Sequence, residues 1–138
     1  MNMLFVDTSG WVAAANAKDP RHSGVCAARD GWLANRGFLV TTDYVIDETL
    51  TTIRSRAGLD VADDWWRQIE ASRWLRIERI IPEQINAALS LFFRYRDKDF
   101  SFTDCTSFVV MEELGTRKAL TLDRHFAQMG FEMVPGSL

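Results

Sequence analysis

The sequence predicts an α/β fold in which helices cover both faces of a five-stranded parallel sheet, as in a three-layer α/β/α sandwich. Short apolar runs, typical of strands buried on both faces, alternate with segments of helical periodicity. Each connection between these runs is long enough for the crossover that parallel pairing requires. The chain has 138 residues, 47% of them hydrophobic, so we expect a single domain over residues 1–138.

The N-terminal part of the chain is predicted to form a strand, two helices and a second strand. Residues 3–6 are a continuous apolar run, and the hydroxyl residues at 8–9 are N-cap candidates for an apolar helix over 11–15. A second helix is predicted to begin at Pro20 and to stop at a glycine. Residues 38–40 then form another short apolar run, which predicts a second buried strand.

The middle of the chain is predicted to form a helical hairpin and an edge strand. Asp43 is the expected N-cap of the first hairpin helix, and Asp60 is the expected N-cap of the second. Residues 74–80 alternate apolar and charged side chains, which indicates a strand with one solvent-facing side.

Two more helices and two strands are predicted in the C-terminal part. Pro82 suits the first position of a helix, and Ser101 with Asp104 has the spacing of a capping box at the start of the next. Residues 119–122 and 131–134 are apolar runs separated by a short helical turn and a glycine. They predict the fourth and fifth strands of the sheet.

Charge and cysteine content exclude several classes of protein. The net charge of -3 argues against a domain that holds nucleic acid by overall positive charge. Cys26 and Cys105 lie far apart without metal-binding spacing, and a chain of this length needs no disulfide, so we expect a reducing, cytoplasmic location. No apolar stretch approaches the ~20 residues of a membrane span, and the N-terminal run is too short for a signal peptide.

Four acidic residues are candidates for one site. Asp7 and Asp123 each follow an apolar run, Asp104 lies in the first turn of a helix, and Glu48 lies in the helix after the second strand. Ligands of parallel α/β sheets bind beyond the carboxyl ends of the strands, so these carboxylates are expected to converge there. Such a cluster requires a cation, and an all-oxygen site without nearby His or Cys favours Mg²⁺ or Mn²⁺. Metal-assisted hydrolysis of a phosphodiester fits this site.

The motifs FVDTS at 5–9, SFTD at 101–104 and TLDRHF at 121–126, together with Glu48, resemble those of the PIN-domain ribonucleases and in particular the VapC toxins of bacterial toxin–antitoxin pairs. The resemblance covers nearly the whole chain and implies a PIN-like sheet of strand order 3-2-1-4-5. It implies that four acids bind Mg²⁺ or Mn²⁺ and that four hydroxyl residues support them. The acids are Asp7, Glu48, Asp104 and Asp123, and the hydroxyl residues are Thr8, Ser9, Ser101 and Thr121.

The same resemblance implies a substrate and partners. Family members cut single-stranded or loop RNA, often in tRNA or ribosomal RNA, and are blocked by an antitoxin, here a VapB-like protein. A homodimer is also implied. Arg124 is expected to form a surface ion pair, with contact to an RNA phosphate as its alternative role. Three tryptophans around the predicted hairpin are expected in the core, with a partner interface as the alternative, namely Trp65, Trp66 and Trp74.

Each acid also has a purely structural interpretation. Asp7 fits a helix N-cap, Asp104 fits the acid of a capping box, and Asp123 fits a turn residue. Glu48 competes with its neighbour Asp47, since either can be a solvated helix charge. The remaining acids are expected to be caps or loop residues, namely Asp43, Asp97 and Asp99. His125 is expected to pack or to face solvent, with proton transfer as its alternative role, and His22 is expected to be structural.

Three other functions remain as alternatives. A haloacid-dehalogenase-like phosphatase has an acid after its first strand but needs a second aspartate two positions later, where this chain has Ser9. A two-component receiver needs an acid pair and a lysine that are not seen. A non-catalytic PIN-like domain that binds RNA or protein has no need to keep all four acids.

Overall fold

The computed structural model describes residues 2–136, and its centre is a five-stranded sheet in which every neighbouring pair of strands is parallel. The strand order is β3-β2-β1-β4-β5, which confirms the predicted class and order. Phe5 on β1 is in register with Val40 on one side and with Ala119 on the other. The strands are β1 (Met3–Val6), β2 (Phe38–Thr42), β3 (Leu75–Glu78), β4 (Lys118–Leu120) and β5 (Glu132–Val134).

Helices make all four connections between consecutive strands, as parallel pairing requires. Two helices precede each of β2, β3 and β4, and one short helix precedes β5. Within residues 2–136, no helix has both the length and the apolar character needed to cross a membrane. The helices are α1 (Thr8–Ala15), α2 (His22–Ala34), α3 (Asp43–Ala57), α4 (Leu59–Ala71), α5 (Pro82–Arg94), α6 (Phe102–Leu114) and α7 (His125–Gln128).

An aromatic cluster holds α6 and α7 against the sheet. Phe108 of α6 lies at the centre, with ring centroids 5.0 Å from Phe126, 5.8 Å from Phe131 and 5.2 Å from Phe100. Phe126 in turn contacts Phe5 of β1 at 6.3 Å. All five rings are buried. Because aromatic contacts of this kind resist displacement, the segments that carry them are fixed relative to β1.

Several helix N-caps differ from the prediction. Asp7, not the hydroxyl residues after it, occupies the cap position of α1, and its side chain makes no capping hydrogen bond. Thr42, not Asp43, caps α3 by accepting a hydrogen bond from Val45 N at 3.1 Å. The carboxylate of Asp43 instead accepts hydrogen bonds from the backbone of the next residue and of Ile80. Each helix begins one or two residues from the predicted point because adjacent polar residues compete for the same cap.

Other boundaries also shift. The N-cap of α4 is Gly58 rather than Asp60, and α2 begins at His22, two residues after the proline. Three strands are shorter than predicted: β3 spans four residues, and β4 and β5 span three residues each.

Among the tryptophans, Trp65 is buried as expected, whereas Trp74 lies after α4 with 63% of its surface exposed. The core interpretation is therefore wrong for Trp74.

Candidate active site

The candidate site is a cavity of about 420 Å³ at the carboxyl ends of β1 and β4. These two strands are neighbours at the place where the strand order reverses direction, which is the usual ligand site of an open parallel sheet. Six carboxylates line the cavity, namely Asp7, Asp19, Glu48, Asp99, Asp104 and Asp123. Four hydroxyl residues also line it, namely Thr8, Ser9, Thr52 and Ser101.

Asp7 is held in place by two hydroxyl groups. Its Oδ2 accepts hydrogen bonds from Ser9 Oγ at 3.1 Å and from Thr121 Oγ1 at 3.0 Å. The same hydroxyls accept hydrogen bonds from the backbone N–H groups of Leu122 at 2.9 Å and Asp123 at 3.0 Å. One network therefore fixes the carboxylate after β1 and the loop after β4 relative to each other. Thr121 does not line the cavity but lies behind it.

Close packing of α1 on β4 makes this network possible. Gly10 faces the carbonyl group of Leu120, and a methyl group on Gly10 would overlap the Leu120 oxygen. The backbone N–H of Asp7 donates to the same carbonyl oxygen at 3.2 Å. Only a glycine at this position allows Asp7 to lie so close to the end of β4.

Asp104 is the acid of the predicted capping box. Ser101 Oγ accepts a hydrogen bond from Asp104 N at 2.9 Å, and Asp104 Oδ2 accepts one from Ser101 N at 3.0 Å. The Oδ1 atom of Asp104 makes no hydrogen bond to another described residue. The capping role and a role in the cavity are thus compatible, because the cap occupies only one carboxylate oxygen.

His125 lies between Asp104 and Asp123. Its Nδ1 is 3.1 Å from Asp104 Oδ2 and 3.2 Å from Asp123 Oδ1, and its ring packs edge-on against Phe100 at 5.3 Å. Asp123 Oδ1 also accepts a hydrogen bond from the backbone N–H of His125 at 2.9 Å. His125 therefore packs against Phe100, as expected, and in addition contacts two acids of the site. Its position two residues after an acid, at the start of a helical turn, was the signal in the sequence.

Burial and mutual repulsion perturb the acids. Burial raises the pKa of Asp7 from 3.8 to about 7, the charge of Asp104 adds to this, and the hydrogen bonds from Thr8 N, Thr121 and Ser9 act against it. The pKa of Asp104 is also raised, first by burial and then by the charge of Asp123, whereas the bond from Ser101 N and the contact with His125 lower it. Upward shifts of this kind, caused by burial and by neighbouring acids, are typical of functional sites.

Glu48 and Asp47, neighbours on α3, differ in their position relative to the cavity. Glu48 lines the cavity, whereas Asp47 is exposed and does not. Thr52 and Arg56 line the same wall, and neither residue was singled out from the sequence. Their spacing of four residues from Glu48 and from each other was the available signal. Asp19 also lines the cavity and was not singled out from the sequence. Asp99 lines the cavity too, although it was expected from the sequence to be a cap or loop residue.

Two other candidates lie outside the cavity lining. Arg124 is exposed and occupies the N-cap position of α7. Cys105 is fully buried, and burial followed by the charge of Asp104 raises the pKa of its thiol to about 11. A thiol with a raised pKa is a poor nucleophile, so Cys105 is a core residue, as expected.

The donor groups fit a divalent cation. Asp104, Asp123 and His125 each have a potential ligand atom, and these three atoms all lie within 4.8 Å of one another. Among residues 2–136, this is the cluster in which at least three such side chains lie close enough to hold one ion. His125 Nδ1 lies at hydrogen-bond distance from both carboxylates, so the three side chains form one contact group that a single cation would share. Thr8 adds a buried Oγ1 with no hydrogen-bond partner among the described residues. A bound ion or its water would satisfy this hydroxyl.

The sequence of this chain matches the PIN domain family over residues 4–132. The chain belongs to the PIN-domain family. It is 33% identical over 129 residues to the 23S rRNA-specific endonuclease VapC20 of Mycobacterium tuberculosis, covering 94% of this chain and 95% of that protein. It is 27% identical over 127 residues to Ribonuclease VapC26 of the same species, covering 91% of each.

The fold agrees with that of a solved PIN-domain structure. The crystal structure of M. tuberculosis VapC20, described as a sarcin-ricin loop cleaving toxin, superimposes with a TM-score of 0.84 at 32% identity. The match covers 93% of this chain and 95% of that chain. The PIN-domain resemblance seen in the motifs is therefore confirmed by sequence and by fold.

Proposed function

We propose that this PIN-domain protein, as one domain over residues 1–138, is a metal-dependent endoribonuclease and the toxin of a type II toxin–antitoxin pair. The observation that carries the proposal is the convergence of Asp104, Asp123 and His125 in the cavity that Asp7 and Glu48 also line. Carboxylates gathered at the end of a parallel sheet suit phosphodiester hydrolysis far better than they suit a binding surface for a polyanion.

The cation is Mg²⁺ or Mn²⁺. Asp104, Asp123 and His125 hold it, and Asp7 and Glu48 complete the negative charge around it. When bound, a divalent ion supplies Lewis-acid chemistry, which activates water and neutralises the charge that develops on the phosphate. The imidazole nitrogen adds a donor that Mg²⁺ accepts less readily than Mn²⁺ does, because Mg²⁺ takes mainly oxygen ligands.

The supporting residues orient the acids. Ser9 and Thr121 hold the Oδ2 atom of Asp7 by hydrogen bonds, and Ser101 holds the Oδ2 atom of Asp104. These bonds fix the orientation of each carboxylate, so its Oδ1 atom also has a fixed position. The unpartnered hydroxyl of Thr8 provides a hydrogen bond for a water or a phosphate oxygen in the cavity. Hydrolysis adds the oxygen of water to the scissile phosphorus and breaks the bond from phosphorus to the 3′ oxygen, so one fragment ends in a 3′-hydroxyl and the other begins with a 5′-phosphate.

The substrate is single-stranded or loop RNA. The relatives VapC20 and VapC26 are named as an endonuclease of 23S rRNA and as a ribonuclease. We extend this activity to the present chain with ribosomal RNA loops as the first substrates to test and tRNA as the second. An unpaired loop exposes its backbone, so it can bend across an ion held in a cavity.

The toxin role implies a VapB-like antitoxin and activity in the cytoplasm, where ribosomes are found.

We also propose a homodimer that buries the exposed apolar side chains of α5. Leu89, Phe92 and Phe93 have 40%, 39% and 69% of their surfaces exposed on this one helix, and Ile81 at its N-cap has 49%. Apolar side chains grouped in this way are typical of a protein interface.

The proposal is tested by sequencing RNA 5′ ends after brief induction of the wild-type chain in a bacterial host. We expect a few new 5′-phosphate ends that are absent with Asp104→Asn and with Glu48→Gln. Asp47→Asn is the matched control for Glu48→Gln, because the two residues are neighbours and only Glu48 lines the cavity. Identical end profiles for folded wild-type protein and Asp104→Asn would contradict the ribonuclease function.

A further inference from the structure

A face of α3 forms one wall of the cavity and ends in an arginine. Glu48, Thr52 and Arg56 follow each other at intervals of four residues, so they lie on the same side of the helix, and all three line the cavity. Eight residues of helix span ~12 Å, so Arg56 lies at the rim, about two turns from Glu48. The wall therefore leads from the acidic floor to a single positive charge.

Arg56 carries the only permanently positive side chain among the described residues that line the cavity. It is exposed, and it makes no ion pair with any described carboxylate. Its guanidinium donors are thus available to a ligand, beside a cavity that six carboxylates make strongly negative.

The acidic side chains of this cavity repel the negatively charged backbone of an RNA strand. The carboxylates that hold a cation repel the phosphates on either side of the scissile bond, and the bound ion compensates only at short range. A cation at the rim offsets this repulsion for a neighbouring phosphate and fixes the direction of the strand. Arginine suits the task because its planar guanidinium binds two phosphate oxygens at once.

We propose that Arg56, together with the Thr52 hydroxyl, forms a subsite for a phosphate of the RNA backbone adjacent to the scissile one, so that the substrate strand runs along α3. This inference rests on the proposed ribonuclease function and extends it to the path of the substrate. Arg56 is a positioning residue, since it acts on the strand and not on the reacting atoms. Arg124 at the start of α7 lies outside the cavity lining and is not part of this subsite.

Arg54 provides a matched control. It is exposed on the same helix, and both arginines lie in the last turn of α3, where a positive charge interacts favourably with the helix dipole. Two residues of helix correspond to a rotation of about 200°, so Arg54 points away from Arg56 and does not line the cavity. Any effect of charge removal on stability or on overall charge is shared by Arg54→Ala and Arg56→Ala.

The test measures binding of a short fluorescein-labelled single-stranded RNA to the chain with an otherwise intact site, over a range of salt concentrations, with a chelator present to prevent cleavage. We expect Arg56→Ala to raise the Kd by about fivefold to tenfold at low salt and to reduce the slope of log Kd against log salt by about 0.7. Arg56→Lys retains the slope with an intermediate Kd, because the charge remains and the paired contact is lost. Arg54→Ala leaves Kd within about twofold of the parent.

Cleavage by the wild-type chain supplies a second measurement. Arg56→Ala is expected to raise KM and leave kcat unchanged, since a contact present before and during the reaction contributes equally to both states. Equal Kd, slope and KM for Arg56→Ala and Arg54→Ala would overturn the subsite while the ribonuclease function stands. A folded wild-type chain that neither binds nor cleaves RNA would overturn both.

Discussion

The imidazole Nδ1 of His125 lies 3.1 Å from Oδ2 of Asp104, although 21 positions separate the two residues in the sequence. The contact joins the short helix α7 to the first turn of α6, and Phe100 packs against the imidazole ring at 5.3 Å. For the metal-dependent function proposed above, His125 would add a nitrogen donor to acids that by themselves offer only oxygen ligands. We therefore expect a metal preference that differs from that of an all-oxygen site.

Replacing His125 with Gln is expected to weaken Mn²⁺ binding by about tenfold or more and Mg²⁺ binding by less, because the lost donor is a nitrogen. Titration calorimetry measures both affinities, and pulsed electron paramagnetic resonance of the Mn²⁺-loaded protein reports nitrogen coupling that the variant lacks. His22→Gln is the control, since His22 contacts the carbonyl oxygen of Ala13 at 2.8 Å outside the cavity lining. Unchanged Mn²⁺ affinity would exclude His125 as a ligand.

Removing the charge of Asp7 is expected to stabilise the metal-free protein at neutral pH. The pKa of this carboxyl is about 7 in the folded chain and 3.8 as its ordinary value, so between these pH values the folded state binds more protons than the unfolded state. The contribution of Asp7 to stability therefore falls as the pH rises from 3.8 to about 7.

In the presence of a chelator, Asp7→Asn should unfold with a free energy higher than that of the wild type by about 1–3 kcal/mol at pH 8. The difference should vanish at acidic pH, where both side chains are neutral. Denaturant unfolding at several pH values measures it, with Asp47→Asn as the exposed control. A difference between the variant and the wild type that does not depend on pH would contradict the linkage.

Thr121→Val is expected to reduce RNA cleavage by about 10- to 100-fold, because the Thr121 hydroxyl links the carboxylate of Asp7 to the backbone of Asp123. Stability should also fall, by about 1–3 kcal/mol, since buried polar atoms lose their partner. Thr116→Val is the matched control, because the buried Thr116 Oγ1 has no hydrogen-bond partner among residues 2–136. Thermal unfolding and cleavage assays should separate the two valine variants, and equal activity would refute the linking role.

Gly10→Ala is expected to destabilise the fold by about 1–3 kcal/mol and to reduce metal binding, because the added methyl group pushes α1 away from the Leu120 carbonyl. Gly24→Ala and Gly31→Ala are the controls. Both lie in α2 with open space where the alanine methyl group would lie, so alanine should be neutral or stabilising there by about 0.5–1 kcal/mol. Similar unfolding free energies for all three variants would contradict the close packing of α1 on β4.

Phe93→Glu is expected to convert the proposed homodimer to a monomer, because it places a charge in the apolar surface of α5. Size-exclusion chromatography with light scattering gives the mass. Trp74→Glu is the control, since Trp74 is a similarly exposed aromatic residue outside α5, with 63% of its surface exposed against 69% for Phe93. A dimeric Phe93→Glu variant would place the interface elsewhere, and a monomeric wild type would exclude the dimer.

Sequence patterns by themselves determined the class of fold and the position of the acids along it. Apolar runs and helical periodicity depend on a residue and its near neighbours, so five strands, their helical connections and the capping box of Ser101 and Asp104 could be predicted. The end of each strand could be located to within a few residues. Asp7 and Asp123 were therefore expected at the correct edge of the sheet, and both line the cavity there.

Only the tertiary structure decided which side chains meet. The hydrogen bond from Thr121 to Asp7 spans 114 positions, and the placement of His125 and Arg56 depends on how α7 and α3 pack against α6 and the sheet. The choice of Thr42 over Asp43 as a cap also required the backbone N–H of Ile80, which draws the aspartate away. Local patterns specify the periodicity of an element, whereas the rotation and contacts of each element are set by side-chain packing across the whole core.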